Sequence, residues 1–225
     1  MTALPTSPRP HDLLWMTEPD RLRAAPSSDG HPSHEPMEDV PWADPDWLAR
    51  APVVVRRDHG PDGWLPVGLR GPRRRDRCAA WLPTDAVSRC VTPEQLAQAQ
   101  TWRAPRAALD LPAIATIAHI APLLDAVGIR WGIGGGAGFA LATGLPVLRP
   151  DSDLDLIVRA GDAETFAHWA AVLRDVLDQP GTARIDIQID TPAGGFAFAE
   201  WLRTGGPVLL KTAHGPVLTS TPWQS

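Results

Sequence analysis

From about residue 108 onward the chain switches between two hydrophobic periods. Ile114, Ile117, Ala118, Ala121 and Leu124 recur every three or four residues, which makes one apolar face of a helix. Asp110 is placed to cap that helix, Pro112 lies in its first turn and Gly128 ends it. Pro122 predicts a kink within it. Residues 129–133 read as a short strand, Gly134 to Gly136 as a turn, and 137–142 as a short helix stopped by Gly144. Residues 153–158 then alternate polar and apolar groups, as a half-buried strand does. A second amphipathic helix spans 162–178, with Phe166, Trp169, Ala170, Leu173 and Leu177 facing inward. Residues 184–190 alternate cleanly and predict a strand with one polar face. Later strands are expected at 195–198, 208–211 and 217–218.

The first half carries a weaker pattern. Nine prolines interrupt residues 1–50, and 26–35 reads as a loop within a proline-rich stretch at about 26–46. Leu13, Leu14 and Trp15 supply apolar groups able to pack. Residues 53–55 and 65–69 predict two strands around the turn at 59–63. Thr92 opens a helix, with Pro93 at its first position and Gln95 completing a capping box, and the helix runs to about Trp102. Pro105 and Arg106 mark the expected boundary, giving an accessory domain at 1–105 and a second domain at 106–225. The expected fold class is α/β in the α+β sense: a small β-containing domain, then a domain with a mixed sheet.

Composition narrows the function classes. At 225 residues and 44% hydrophobic content the chain can bury a core. A net charge of −5 argues against bulk nucleic-acid binding. Cys78 and Cys90 lack metal-ligand spacing, which suits a reduced, cytoplasmic setting. No signal peptide is expected, and no stretch approaches the ~18 apolar residues that span a bilayer.

Candidate chemistry lies in the second half. Asp153 and Asp155 share one strand face, beside the flexible Gly134, Gly135 and Gly136. The next polar strand adds Asp186 or Asp190 as a third carboxylate. Like charges this close need a cation, and Mg²⁺, with Mn²⁺ as the alternative ion, takes hard oxygen ligands. That pattern suits metal-assisted phosphoryl transfer. Backbone N–H groups of Gly135 and Gly136, at a helix start, are suited to a phosphate. Gly132, Gly134 and Ala137 also fit a dinucleotide-binding spacing, but the chain is too short for repeated βαβ units. No Gly-Lys-Ser/Thr sequence of a Walker loop is present. Five arginines fall between Arg70 and Arg77, among them Arg73 and Arg75, and suit phosphates or an acidic protein surface. Lys211 interrupts an apolar strand and is a further phosphate-binding candidate beside a snorkelling structural role. The histidines are scattered and form no cluster.

A glycine turn, a helix, Asp-x-Asp on a strand and a later strand Asp resemble the DNA polymerase β-type nucleotidyltransferases over about residues 108–225. More of the chain resembles one family within that superfamily. The likeness rests on Arg9-Pro10-His11-Asp12-Leu13-Leu14-Trp15, Val53-Val54-Val55-Arg56-Arg57, and Pro66-Val67-Gly68-Leu69-Arg70-Gly71 with its arginines. It continues through Thr143-Gly144-Leu145-Pro146, Ser152-Asp153-Leu154-Asp155-Leu156 and Leu210-Lys211-Thr212. The family is the phosphoribosyl-dephospho-CoA transferase of malonate decarboxylase, also called its holo-acyl-carrier-protein synthase. Gly136 stands where that family tends to have Ser, which removes a hydroxyl but keeps the backbone N–H.

The resemblance implies transfer of phosphoribosyl-dephospho-CoA from 2′-(5″-triphosphoribosyl)-3′-dephospho-CoA to a serine of the acyl-carrier subunit, with diphosphate leaving. It implies metal on Asp153, Asp155 and Asp186, with Asp186 also suited to activating the serine. Gly135 and Gly136 would hold the triphosphate, and Arg73 to Arg77 with Lys211 would hold phosphates or the acidic carrier. Neither nucleic acid nor membrane enters. Two other readings stand beside it: a nucleotidyltransferase using an ordinary nucleoside triphosphate, and a catalytically inactive nucleotide-binding module.

Overall fold

The computed structural model of the chain describes residues 7–24, 40–104, 110–179 and 183–224. Contacts divide it into two units, Met1–Thr92 with Leu145–Val147, and Pro93–Gly144 with Leu148–Ser225. The loop expected at 26–35 and the Pro105–Arg106 pair lie outside the described residues.

Among the described residues, the first unit is a six-stranded antiparallel sheet with one short α-helix. Its strands are β1 (Leu13–Met16), β2 (Arg23–Ala24), β3 (Val53–Val55), β4 (Trp64–Arg70), β5 (Arg77–Pro83) and β6 (Val87–Val91). They lie in the order β2-β5-β4-β3-β1-β6. The strands expected at 53–55 and 65–69 are present and pair with each other. β5 and β6 were not foreseen, since neither Arg77-Cys78-Ala79-Ala80-Trp81 nor Val87-Ser88-Arg89-Cys90-Val91 alternates cleanly. Between β2 and β3, α1 (Pro45–Arg50) starts where the Asp44 carboxylate accepts a 2.7 Å hydrogen bond from the Trp47 N–H. Leu14, Val67, Ala80 and Leu82 are wholly buried and form the sheet's core.

The second unit is a mixed α+β layer structure, as expected. Its sheet contains β7 (Trp131–Ile133), β8 (Leu154–Arg159), β9 (Ile185–Asp190), β10 (Gly195–Ala197), β11 (Val208–Thr212) and β12 (Gly215–Thr219), in the order β12-β11-β10-β9-β8-β7. Only β8 and β9 run parallel; the other neighbours are antiparallel. Its helices are α2 (Pro93–Ala99), α3 (Pro112–Ala126), α4 (Gly135–Thr143), α5 (Ala163–Leu177) and α6 (Phe198–Thr204). A parallel pair needs a long crossover, and α5 supplies it. Among the described residues no helix is long and apolar enough to cross a membrane.

Several boundaries differ from expectation for physical reasons. α2 ends at Ala99 because Gln100 turns left-handed, and Trp102 lies in the 3-10 turn that follows. α3 is not capped by Asp110. Pro112 fixes the start and holds Leu111 extended, so Leu111 takes the cap position and no side chain bonds there. α3 runs on through Pro122 as one element. The segment from Gly195 changes to helix at Phe198, so α6 replaces the end of the expected strand. Along α5, Phe166 and Leu173 are buried as expected, with Val176 joining them, while Trp169, Ala170 and Leu177 are half-buried. Phe166 anchors that helix in an aromatic cluster, with ring centroids of Phe196, Phe198, Trp201 and Trp223 between 5.0 and 6.0 Å away. The outer border of this sheet is β12, where Val217 and Leu218 are exposed and Pro216 sits opposite Lys211.

Both cysteines are free. In the first unit Cys90 Sγ lies 3.9 Å from Asp12 Oδ2. Burial first, then the charge and hydrogen bond of Asp12, push its thiol from an ordinary 9.0 up to about 11. A thiol whose value is raised by folding stabilises the fold fully below its ordinary value, and that contribution is lost as pH rises through the folded one. The melting temperature of the wild-type protein is therefore expected to fall more steeply between pH 9 and about 11 than that of Cys90→Ala. Parallel pH curves for the two proteins would contradict this.

Candidate active site

Strand register brings the candidate residues together. Because β8 and β9 are parallel, Asp155 stands directly opposite Asp186, Ile157 opposite Gln188, and Arg159 opposite Asp190. Asp153 and Asp155 share one face of β8, and Asp186, Gln188 and Asp190 share that face of β9. The opposite face carries Leu154, Leu156, Val158, Ile185, Ile187 and Ile189, all buried. One face of these two strands is thus apolar, and the other carries the charged side chains.

The polar side is closed at one end and open at the other. At the closed end Arg159 donates through Nε to Glu94 of α2, and through Nη1 to Asp190 Oδ2 at 2.8 Å. Gln188 donates to the other Asp190 oxygen at 3.0 Å. Glu94 and Asp190 are buried, and Arg159 between them is 11% exposed. The close approach of α2 depends on Gly132: a Cβ there would lie 2.4 Å from the Pro93 carbonyl carbon. Both oxygens of Asp190 therefore have partners inside the fold, and Asp190 holds the sheet to α2.

At the open end lie Asp153, Asp155 and Asp186. The ladder between β7 and β8 continues one step past Ile133, as the Gly134 N–H donates to the Asp155 carbonyl at 2.9 Å. α4 begins at the next residue. Gly135 is its first residue rather than part of a preceding turn, Gly136 its second, and Gly134 its cap. Gly135 adopts φ +54°, and a Cβ on it would sit 1.7 Å from Asp155 Oδ2. The carboxylate of Asp155 thus lies against the start of α4, where the first N–H groups have no partner within the helix and the helix dipole favours negative charge.

Asp153 and Asp186 meet through a residue to which the sequence pattern gave no role. Arg184 forks onto Asp153, with Nε 3.1 Å from Oδ1 and Nη2 2.9 Å from Oδ2. The same Nη2 reaches Asp186 Oδ2 at 2.8 Å. The Asp153 hydrogen bond first, then the charges of Asp186 and Asp153, raise the Arg184 pKa. A signal for it existed. Arg184, Asp186, Gln188 and Asp190 alternate on one strand face, so a cation heads a row of acids. Arg159 and Glu94 were also missed, because their pairing joins residues 65 positions apart.

Two further candidates stand elsewhere. Lys211 is exposed on β11, opposite Gly195, which in turn faces Asp190. It belongs to the Arg159 row, about 13 Å along and about 10 Å across from Asp186 by ordinary strand spacings. Arg73 and Arg75 belong to the first unit and are exposed on the turn between β4 and β5. Asp76 closes that turn, its carboxylate accepting from the Arg73 N–H at 2.9 Å. Of the five arginines expected to act together, Arg70 is buried.

Two family matches cover the chain in succession. Residues 9–93 match the phosphoribosyl-dephospho-CoA transferase MdcG N-terminal domain, and residues 95–222 its C-terminal domain. The chain belongs to this transferase family. A phosphoribosyl-dephospho-CoA transferase of Klebsiella pneumoniae (strain 342) is 40% identical over 221 residues, covering 97% of each chain. The one from Azotobacter vinelandii is 40% identical, over 96% of this chain and 95% of its own. That of Pseudomonas syringae pv. tomato is 41% identical, over 95% and 92%. No solved structure matches. Members of this transferase family are enzymes.

The donor type at the open end, carboxylate oxygen, is the type that a divalent cation takes. Three carboxylates offer hard oxygen ligands, and two of them already share one cationic partner. Among the described residues no three His, Cys, Asp or Glu groups converge to hold an ion, and Asp153 and Asp186 are joined by a guanidinium instead.

Two outcomes follow for variants. Gly135→Ala combines a left-handed backbone with a clash against Asp155, whereas Gly144→Ala has a φ of +73° and open space around it. The shared backbone strain costs about 1–2 kcal/mol, or about 2–8 °C for a chain of this size. Gly135→Ala should melt below Gly144→Ala, and equal melting temperatures would show that Asp155 does not press on the glycine. Arg159→Leu leaves Asp190 and Glu94 as buried charges without their cation. It should lose about 3–5 kcal/mol in urea unfolding; a loss near zero would show that the network does not hold α2 to the sheet.

Proposed function

We propose that the chain transfers phosphoribosyl-dephospho-CoA from 2′-(5″-triphosphoribosyl)-3′-dephospho-CoA to a serine of the apo acyl-carrier subunit of malonate decarboxylase, releasing diphosphate. The observation that carries this reading is the open end of the polar face. Asp155 and Asp186 lie side by side on neighbouring strands, with Asp153 beside them and a glycine helix start next to Asp155. The near full-length likeness to relatives named phosphoribosyl-dephospho-CoA transferase supports the choice of donor.

The serine Oγ forms a bond to the phosphorus nearest the ribose, and the bond from that phosphorus to the bridging oxygen of the diphosphate breaks. A phosphodiester remains on the carrier. Asp186 is suited to accept the serine proton, because its side chain is 45% exposed and not locked in the buried network that holds Asp190. The N–H groups of Gly135 and Gly136 orient the triphosphate at the start of α4. Arg73 and Arg75 present exposed guanidinium groups for phosphates or for an acidic carrier surface, and Lys211 adds an exposed ammonium. Asp153, Asp155 and Asp186 would hold Mg²⁺, with Mn²⁺ as the alternative, and the metal would neutralise charge developing on the diphosphate.

Intact-mass spectrometry of the apo carrier subunit, incubated with this protein, Mg²⁺ and the donor, tests the reading. The expected result is a mass gain equal to phosphoribosyl-dephospho-CoA. Asp153→Asn should slow that gain by about 10²–10³-fold, the scale of losing one preorganised electrostatic contact at the reacting phosphate. Full-rate transfer by Asp153→Asn would sink the site assignment. No mass gain with a competent donor and carrier would sink the donor and acceptor.

A further inference from the structure

No step of the proposed transfer uses Arg184, yet this residue offsets the negative charge at the open end of the polar face. Its guanidinium forks onto both oxygens of Asp153 and reaches Asp186 with the same nitrogen. It does so from the surface, with 67% of its side chain exposed against 24% for Asp153. The contrast with Arg159 is direct. That arginine is 11% exposed and clamped between two buried carboxylates, so it has nowhere to go. Arg184 has solvent on its outer side, and exposed ion pairs are weak and exchangeable. Arg184 stands one residue before β9, with its side chain on the row that bears Asp186.

Resting on the metal-site reading above, we propose that Arg184 is a resident counter-ion that a divalent cation must displace. In the metal-free protein it holds Asp153 and Asp186 in place against their mutual repulsion. When the cation arrives, the carboxylates exchange one positive partner for another, and the guanidinium swings outward. Arg184 is on this account a positioning residue. It keeps the ligands arranged, and it sets a threshold for metal binding.

Direct Mn²⁺ titration, followed by the paramagnetic resonance of the free ion, tests this without reference to turnover. Arg184→Gln should bind Mn²⁺ about three- to tenfold more tightly than wild type, because the competing cation is gone. Arg184→Lys keeps a charge but loses the fork, and should fall between the two. The metal-free melting temperature of Arg184→Gln should drop slightly, because the like charges are then unscreened. Equal or weaker Mn²⁺ binding by a folded Arg184→Gln overturns the proposal and leaves Arg184 as a strand clasp. Asp155→Asn separates the two levels. If wild type binds Mn²⁺ and Asp155→Asn binds it far more weakly, the metal site stands, and the arginine variants alone decide the counter-ion. If Asp155→Asn binds as wild type does, the metal site itself is wrong and the proposal falls with it.

Discussion

Two aspartates face each other across the one parallel strand pair of the second sheet. Like charges in that position repel, and the fold around them is organised by how each is neutralised. The register that aligns Asp155 with Asp186 also aligns Arg159 with Asp190, four residues further along. One alignment therefore sets both the open cluster and the buried ion network. Shifting β9 by a single residue would turn its acids into the apolar layer and its isoleucines onto the polar face. The buried side chains of Ile185, Ile187 and Ile189 forbid that shift.

The two ends of this polar row illustrate opposite uses of charge. At the inner end arginine, glutamate and aspartate are enclosed by α2, and their pairing resists rearrangement. At the outer end the cation is solvent-exposed and the carboxylates remain accessible. Fixed charge thus lies next to exchangeable charge on the same strands. The rigid end gives the labile end a stable frame, as functional groups on strands require. Glycines make both ends possible. Gly132 lets α2 close on the sheet, and Gly135 leaves room for the Asp155 carboxylate.

Much of the second unit was legible in the sequence, because its elements have strong periods. The alternation at 153–158 and 184–190 gave both central strands and the face on which their acids sit. What the pattern could not give was depth. Asp186 and Asp190 look equivalent along the strand, and only the pairing of Asp190 with Arg159 separates a buried anchor from an accessible acid. Arg184 was overlooked for the same reason, since its role depends on Asp153, which is 31 residues away. The first unit was less legible. β6 is held by pairing with β1, distant in sequence, β5 by a hairpin with β4, and the residues of neither alternate cleanly. α6 was missed because the strand ends at Ala197 and the helix follows at once, with Phe198 packed on Phe166 and Trp201. The arginine run read as one patch divides into a buried Arg70 and an exposed turn shaped by Asp76.

The border strand β12 has a bearing on how this chain behaves in a crowded solution. Leu218 and Val217 lie open on it, which in a flat edge would invite another chain to add a strand and polymerise. Pro216 lacks the N–H that such an addition would need, and Lys211, exposed on the neighbouring strand, places a charge beside it. The same lysine that the sequence offered as a phosphate ligand thus stands with Pro216 among the features that blunt a sheet margin against strand addition.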